Sequence, residues 1–153
     1  MIDGLDPYPP NRPYYAPGFR AATAGPALLA RNPDGVTLTH HGFLRRMGVA
    51  VERNWIFAPR RLDIVDRFTR QPGGHIVTRR FVTPLVVVEV ERAALVLQAP
   101  SGRRFRVSAE GAPPVVTPIP LWYAYGESRP GSVVTFNIPL LMPTECRLIV
   151  QVV

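Results

Sequence analysis

Short apolar runs rich in β-branched and aromatic residues recur along the chain, and clusters of Pro, Gly, Asn and Ser close them at intervals. That pattern predicts strands joined by tight turns. The strands are expected over 27–31, 35–41, 49–58, 60–67, 75–83, 85–91, 93–99, 103–109, 115–119, 121–125, 132–138 and 146–153. Asn32-Pro33-Asp34-Gly35, Gln71-Pro72-Gly73-Gly74, Pro100-Ser101-Gly102 and Arg129-Pro130-Gly131 each join a fixed φ to a residue tolerant of positive φ, so all four read as hairpin turns. In Leu62-Asp63-Ile64-Val65-Asp66 the side chains alternate, with Leu62 and Ile64 on one face and Asp63 and Val65 on the other. Leu85-Val86-Val87-Val88 is apolar on both faces and is expected inside the stack. Short antiparallel strands without helical crossovers specify an all-β, two-sheet antiparallel β-sandwich over 26–153. Residues 1–25 differ, because Tyr8, Tyr14, Tyr15 and Phe19 stand among five prolines and predict an extended arm lying against something apolar.

Composition narrows the picture. The 153 residues suffice for one core, and 18 prolines spread through them exclude long helices. A single cysteine, Cys146, permits no internal disulfide, and its place in an apolar strand favours core packing over nucleophilic catalysis. No apolar run reaches membrane-spanning length, so no membrane partner is expected. Met1 precedes Ile-Asp-Gly rather than a basic and then apolar leader, so no export signal is expected in the chain. The compartment stays open between bacterial cytoplasm and, within a longer exported protein, periplasm.

The net charge of +7 comes from arginine alone, without any lysine. Arginine's planar fork suits carboxylate, phosphate and sulfate groups, which makes an acidic polymer the natural partner to consider. The pairs Arg45-Arg46, Arg60-Arg61, Arg79-Arg80 and Arg103-Arg104 would send one guanidinium to each face of a strand. With no nucleic-acid motif beside them, a nucleic-acid partner is not expected. Trp122, Tyr123 and Tyr125 offer flat faces on which a sugar could stack, with Arg45 a candidate for its acidic groups, although core packing of the rings is the stronger reading. His40 and His41 are adjacent, so in a regular strand at most one of them serves a given metal. No zinc motif, nucleophile elbow or phosphate-cradling loop is present.

The stretch Gly35-Val36-Thr37-Leu38-Thr39-His40-His41-Gly42-Phe43-Leu44-Arg45-Arg46-Met47-Gly48, then 62–67, 75–81 and Tyr125-Gly126-Glu127-Ser128-Arg129-Pro130, resembles the C-terminal β-sandwich of heparinase II/III-like polysaccharide lyases. The family's His-Asp-Gly-Tyr segment is matched by His40-His41-Gly42-Phe43, with His41 in place of the Asp. The resemblance implies an acidic polysaccharide as partner and β-elimination as the family chemistry. It also implies an α/α toroid, in cis or in trans, that supplies most catalytic groups, and none of those groups can be matched in this chain. Ile2-Asp3-Gly4 looks like the end of the family's toroid–sandwich junction, whose His-Asn-Thr would lie before Met1, so a detached or truncated C-terminal piece is the expectation. By the same resemblance Asp3 and one of His40 or His41, with His41 preferred, would correspond to a structural divalent metal site. The function expected is a non-catalytic module that helps wall an acidic-polysaccharide cleft. The alternative is an independent carbohydrate-binding or structural β-sandwich module.

Overall fold

A computed structural model describes residues 1–7 and 25–153, so the expected aromatic arm, with Tyr8, Tyr14, Tyr15 and Phe19, lies outside the described residues. Nine strands follow in order: β1 (Leu28–Asn32), β2 (Gly35–His40), β3 (Val49–Ala58), β4 (Arg61–Thr83), β5 (Val86–Val90), β6 (Ala94–Gln98), β7 (Arg104–Ala109), β8 (Pro114–Ala124) and β9 (Glu127–Val152). A single helical turn, Leu44–Met47, joins β2 to β3 and ends on Gly48 at φ 69°. Among the described residues no helix is long and apolar enough to cross a membrane.

All pairings are antiparallel, in the order β1-β2-β3-β4-β9-β7-β6-β5, with β8 on the remaining edge of β9. The sandwich forms because β4 and β9, 23 and 26 residues long, run through both layers. Their early and late halves belong to different layers: residues 61–68 pair with 144–151, and residues 73–83 pair with 132–142. Between these two ladders the register shifts, four residues of β4 facing the single Pro143 of β9. One layer therefore holds β1 to β3, the start of β4, the end of β9, and β7, β6 and β5. The other holds the end of β4, the start of β9, β8 and the bridge from Ile2 to Val77.

One core cluster joins the layers, with Val49, Val51, Phe68, Leu95, Val107 and Leu148 from the first meeting Ile2, Val77, Val134, Phe136 and Ile138 from the second. Each such side chain contributes about 1.5–3 kcal/mol through removal from water. Cys146 belongs to this core as a buried free thiol, and burial raises its pKa, which keeps it protonated and inert.

Two expected turns are strand interior instead. Gln71-Pro72-Gly73-Gly74 does not reverse the chain, because Arg70 at φ 83° and Gly73 at φ 151° bend β4 from one layer into the other. Arg129-Pro130-Gly131 lies within β9 opposite Leu121, Pro120 and Ile119. Gly131 is needed there for close approach, since a Cβ would collide with the Leu121 side chain and the Thr83 carbonyl. The turns at Pro33-Asp34 and Pro100-Ser101-Gly102 stand as expected, Gly102 taking φ 83°. The strand beginning at Val86 is also corrected. It is an edge strand whose Val86, Val88 and Val90 are exposed, because among the described residues no other strand is laid over its outer face. The strand buried on both faces is β6, where Ala94, Leu95, Val96 and Leu97 are all buried.

Candidate functional site

The even positions of β4 carry Leu62, Ile64, Asp66 and Phe68 onto the inner face, which places a carboxylate among core side chains. Asp66 is 2% exposed. Arg53, its cross-strand partner on β3, grips it in bidentate fashion, with Nε donating to Oδ1 at 2.6 Å and Nη2 donating to Oδ2 at 2.8 Å. Arg79 comes from the opposite layer, its Nη2 forming an ion pair with Asp66 Oδ2 at 2.9 Å and donating to the Cys146 carbonyl at 3.2 Å. The bond to Asp66 raises the Arg53 pKa further above its ordinary value. The Arg53 guanidinium also lies 5.7 Å from the Trp55 ring centre. Asp66 is thus a cross-layer clamp, and with its oxygens taken by guanidinium protons it is not available as a base.

Two cavities meet at this clamp. The smaller, about 170 Å³, is walled by Ile2, Pro7, His40, Phe43, Asp66 and Phe68. His40 sits there with its pKa lowered by burial and by Arg53, and its Nδ1 accepts from the Gly42 amide at 3.3 Å. The larger, about 630 Å³, is bordered by Arg53, Arg79, Arg80, Thr78 and Asp6, with Ile64, Phe81 and Leu148 as its apolar wall. A third cavity, about 250 Å³, is wholly apolar and opens between Ile64, Phe81, Leu97, Phe105, Val107 and Leu148.

The expected site residues are placed elsewhere. Trp122, Tyr123 and Tyr125 sit at the tip of the β8–β9 hairpin, where Tyr125-Gly126 forms a two-residue turn and Gly126 takes φ 79°. They are 68%, 57% and 107% exposed, so the core reading of these rings is overturned. The tip carries exposed rings, and among the described residues β8 pairs only with β9. Arg129 lies over the Tyr123 ring at 5.3 Å. Arg45 is exposed on the helical turn between β2 and β3, in the other layer, and among the described residues no hydrogen bond, ion pair or ring contact links it to the tip.

Asp3 meets His75. Its Oδ2 lies 2.7 Å from His75 Nδ1, and its Oδ1 accepts the Ile76 amide at 2.7 Å; these bonds, that from His75 first, lower its pKa. His41 stands half-buried at the start of the helical turn, where its carbonyl accepts from the Leu44 amide. Among the described residues Asp3 pairs with His75, and no three His, Cys, Asp or Glu side chains gather in a way that could hold a metal ion. Asp66 was not singled out in the sequence, although continuing the alternation of Leu62 and Ile64 by one step puts a carboxylate on the apolar face.

With this geometry the chain is a β-sandwich of the kind found in heparinase III and heparan sulfate lyase structures. A heparinase III structure is similar at TM-score 0.55 and 17% identity, over 82% of this chain and 20% of that one. Heparan sulfate lyase HepC from Pedobacter heparinus is similar at TM-score 0.59 and 12% identity, over 84% of this chain and 21% of that one. The 4-alpha-glucanotransferase from Thermococcus litoralis is similar at TM-score 0.53 and 13% identity, over 82% of this chain and 22% of that one. The chain spans about a fifth of the length of each of these structures. No family model matches the sequence, and no curated protein matches it. At these identities the likeness is one of fold, and a lyase and a transferase sharing it shows that the sandwich does not by itself set the reaction.

Proposed function

We propose that this chain is a non-catalytic β-sandwich module of a polysaccharide-lyase-like protein. In this reading it walls one side of an acidic-polysaccharide cleft, opposite an α/α toroid supplied in cis or in trans. The observation that carries it is the structural match of 84% of this chain to about a fifth of a heparan sulfate lyase, at TM-score 0.59. The charge is consistent with it, since +7 carried wholly by arginine suits a sulfated or uronate-bearing polymer. β-Elimination needs a group that neutralises the uronate, a base for its C5 proton and an acid for the leaving oxygen. Asp66 is locked by two arginines, and the Asp3–His75 pair lies on a separate shallow surface beside Pro139 and Leu141. The test is incubation of the purified chain with heparan sulfate while following the ultraviolet absorbance of unsaturated uronate ends. No product is expected, and sustained product formation would overturn the reading.

A second reading, an independent carbohydrate-binding module, is favoured by the exposure of Trp122, Tyr123 and Tyr125. The register shifts between Trp122 and Ala124, so Tyr123 sits at a bulge and the strict alternation of a regular strand does not hold between it and Trp122. Glycan binding that is lost on Trp122→Ala or on Tyr123→Ala, in a chain that binds with no toroid present, would favour this reading over the first.

A further inference from the structure

We propose that the larger cavity at the Asp66 clamp binds an oxyanion, a sulfate or a carboxylate, through the outer side of the Arg53 guanidinium and the positive charge of Arg79. Charge is the first reason. Two guanidiniums share one carboxylate, so the clamp carries an excess positive charge where Asp66 and Arg79 are 2% and 6% exposed. Neighbouring acids do not cancel it. Asp63 pairs with Arg61 and Glu52 with Arg67, while Asp6 is an exposed residue at the rim of the cavity that Arg80 also lines.

The second reason is an independent one. Arg79 Nε is buried yet has no hydrogen-bond partner among the described residues, and Arg79 lines the cavity. That Nε has no exposed surface of its own, so an anion in the cavity balances the charge of this guanidinium rather than accepting that proton. Arg53 meets Asp66 with Nε and Nη2, which leaves Nη1 on the far side of the fork. At about 630 Å³ the cavity is in the range that small ligands occupy, so it admits an inorganic anion or an acidic sugar unit. The inorganic form of the proposal stands alone, whereas the sugar-borne form rests on the proposed function.

The test is thermal unfolding of the full chain with sodium sulfate or sodium acetate, against sodium chloride at matched ionic strength, and with a heparan sulfate oligosaccharide. Sulfate stabilises folded proteins generally through exclusion from their surface, a gradual effect shared by all variants, so the saturable part is the signal. A saturable rise in Tm is expected with sulfate, reaching about 5–10 °C at roughly a hundred times Kd. Arg79→Gln should weaken the apparent affinity at least about tenfold, and Arg53→Lys should weaken it because an ammonium lacks the fork. Should Arg79→Gln fail to fold, Arg53→Lys and the exposed Arg80→Gln carry the test, each expected to lower affinity.

No saturable response of the wild-type chain to either anion, or an unchanged response in these variants, would overturn the site. A response to inorganic sulfate without any to the oligosaccharide keeps the site and counts against the polysaccharide reading. Oligosaccharide binding that Arg79→Gln leaves intact does the reverse.

Discussion

The Asp66 clamp and the tip of the β8–β9 hairpin both set arginine beside groups that could recognise a sugar acid, yet they are built on opposite principles. At the clamp, Asp66 and Arg79 are almost wholly buried, and three side chains from two layers fix one another. At the tip, Trp122, Tyr123 and Tyr125 are all exposed, with Arg129 over the Tyr123 ring. The clamp's geometry is therefore coupled to folding, whereas the tip can change without disturbing the core. Substitutions in the two regions should separate stability from recognition.

The largest effect is expected at the clamp. Asp66→Ala leaves two guanidiniums facing each other inside the sandwich, and the loss should be about 3–5 kcal/mol, read from denaturant unfolding. A loss near zero would mean that the two layers are not tied there. Gly131→Ala probes the base of the hairpin, where an added Cβ meets the Leu121 side chain and the Thr83 carbonyl. It should cost about 1–3 kcal/mol, and a neutral result would detach the hairpin base from the core as well.

Acid should act on the clamp's side of the molecule. The folded-state pKa of His40 is lowered from 6.5 by burial. Below 6.5 the unfolded chain binds this proton first, so the stability contributed by neutral His40 is complete above 6.5 and declines as pH falls toward the folded value. His40→Phe should flatten that limb of a stability–pH profile, and an unchanged profile would remove His40 from the account. The smallest expected effect is that of Trp122→Ala, which at 68% exposure should alter stability by no more than about 0.5 kcal/mol. A collapse in Tm would restore the core role for the ring.

The same contrast governs what the sequence made legible. Local chemistry was readable: Pro33-Asp34 and Pro100-Ser101-Gly102 reverse the chain because their dihedral preferences suit a turn. Gln71-Pro72-Gly73-Gly74 carries the same preferences and bends β4 between layers instead, since the residues that close a hairpin also accommodate a bulge. Only the pairing partner decides between those outcomes, and it lies far away in β9. Burial was misread at Val86 to Val90 and at Trp122 for a related reason, because hydrophobicity shows that a strand can be covered but not that another layer reaches it. The clamp is the clearest case. Asp66 and Arg53 face each other by register, but Arg79 joins them only after β4 has folded back on itself.

Salt-dependent binding of the isolated chain to immobilised heparan sulfate tests the central claim most directly. The account predicts retention at low ionic strength that weakens steadily as salt rises, with no unsaturated product released. Absence of retention at low salt, or release of product, would contradict it.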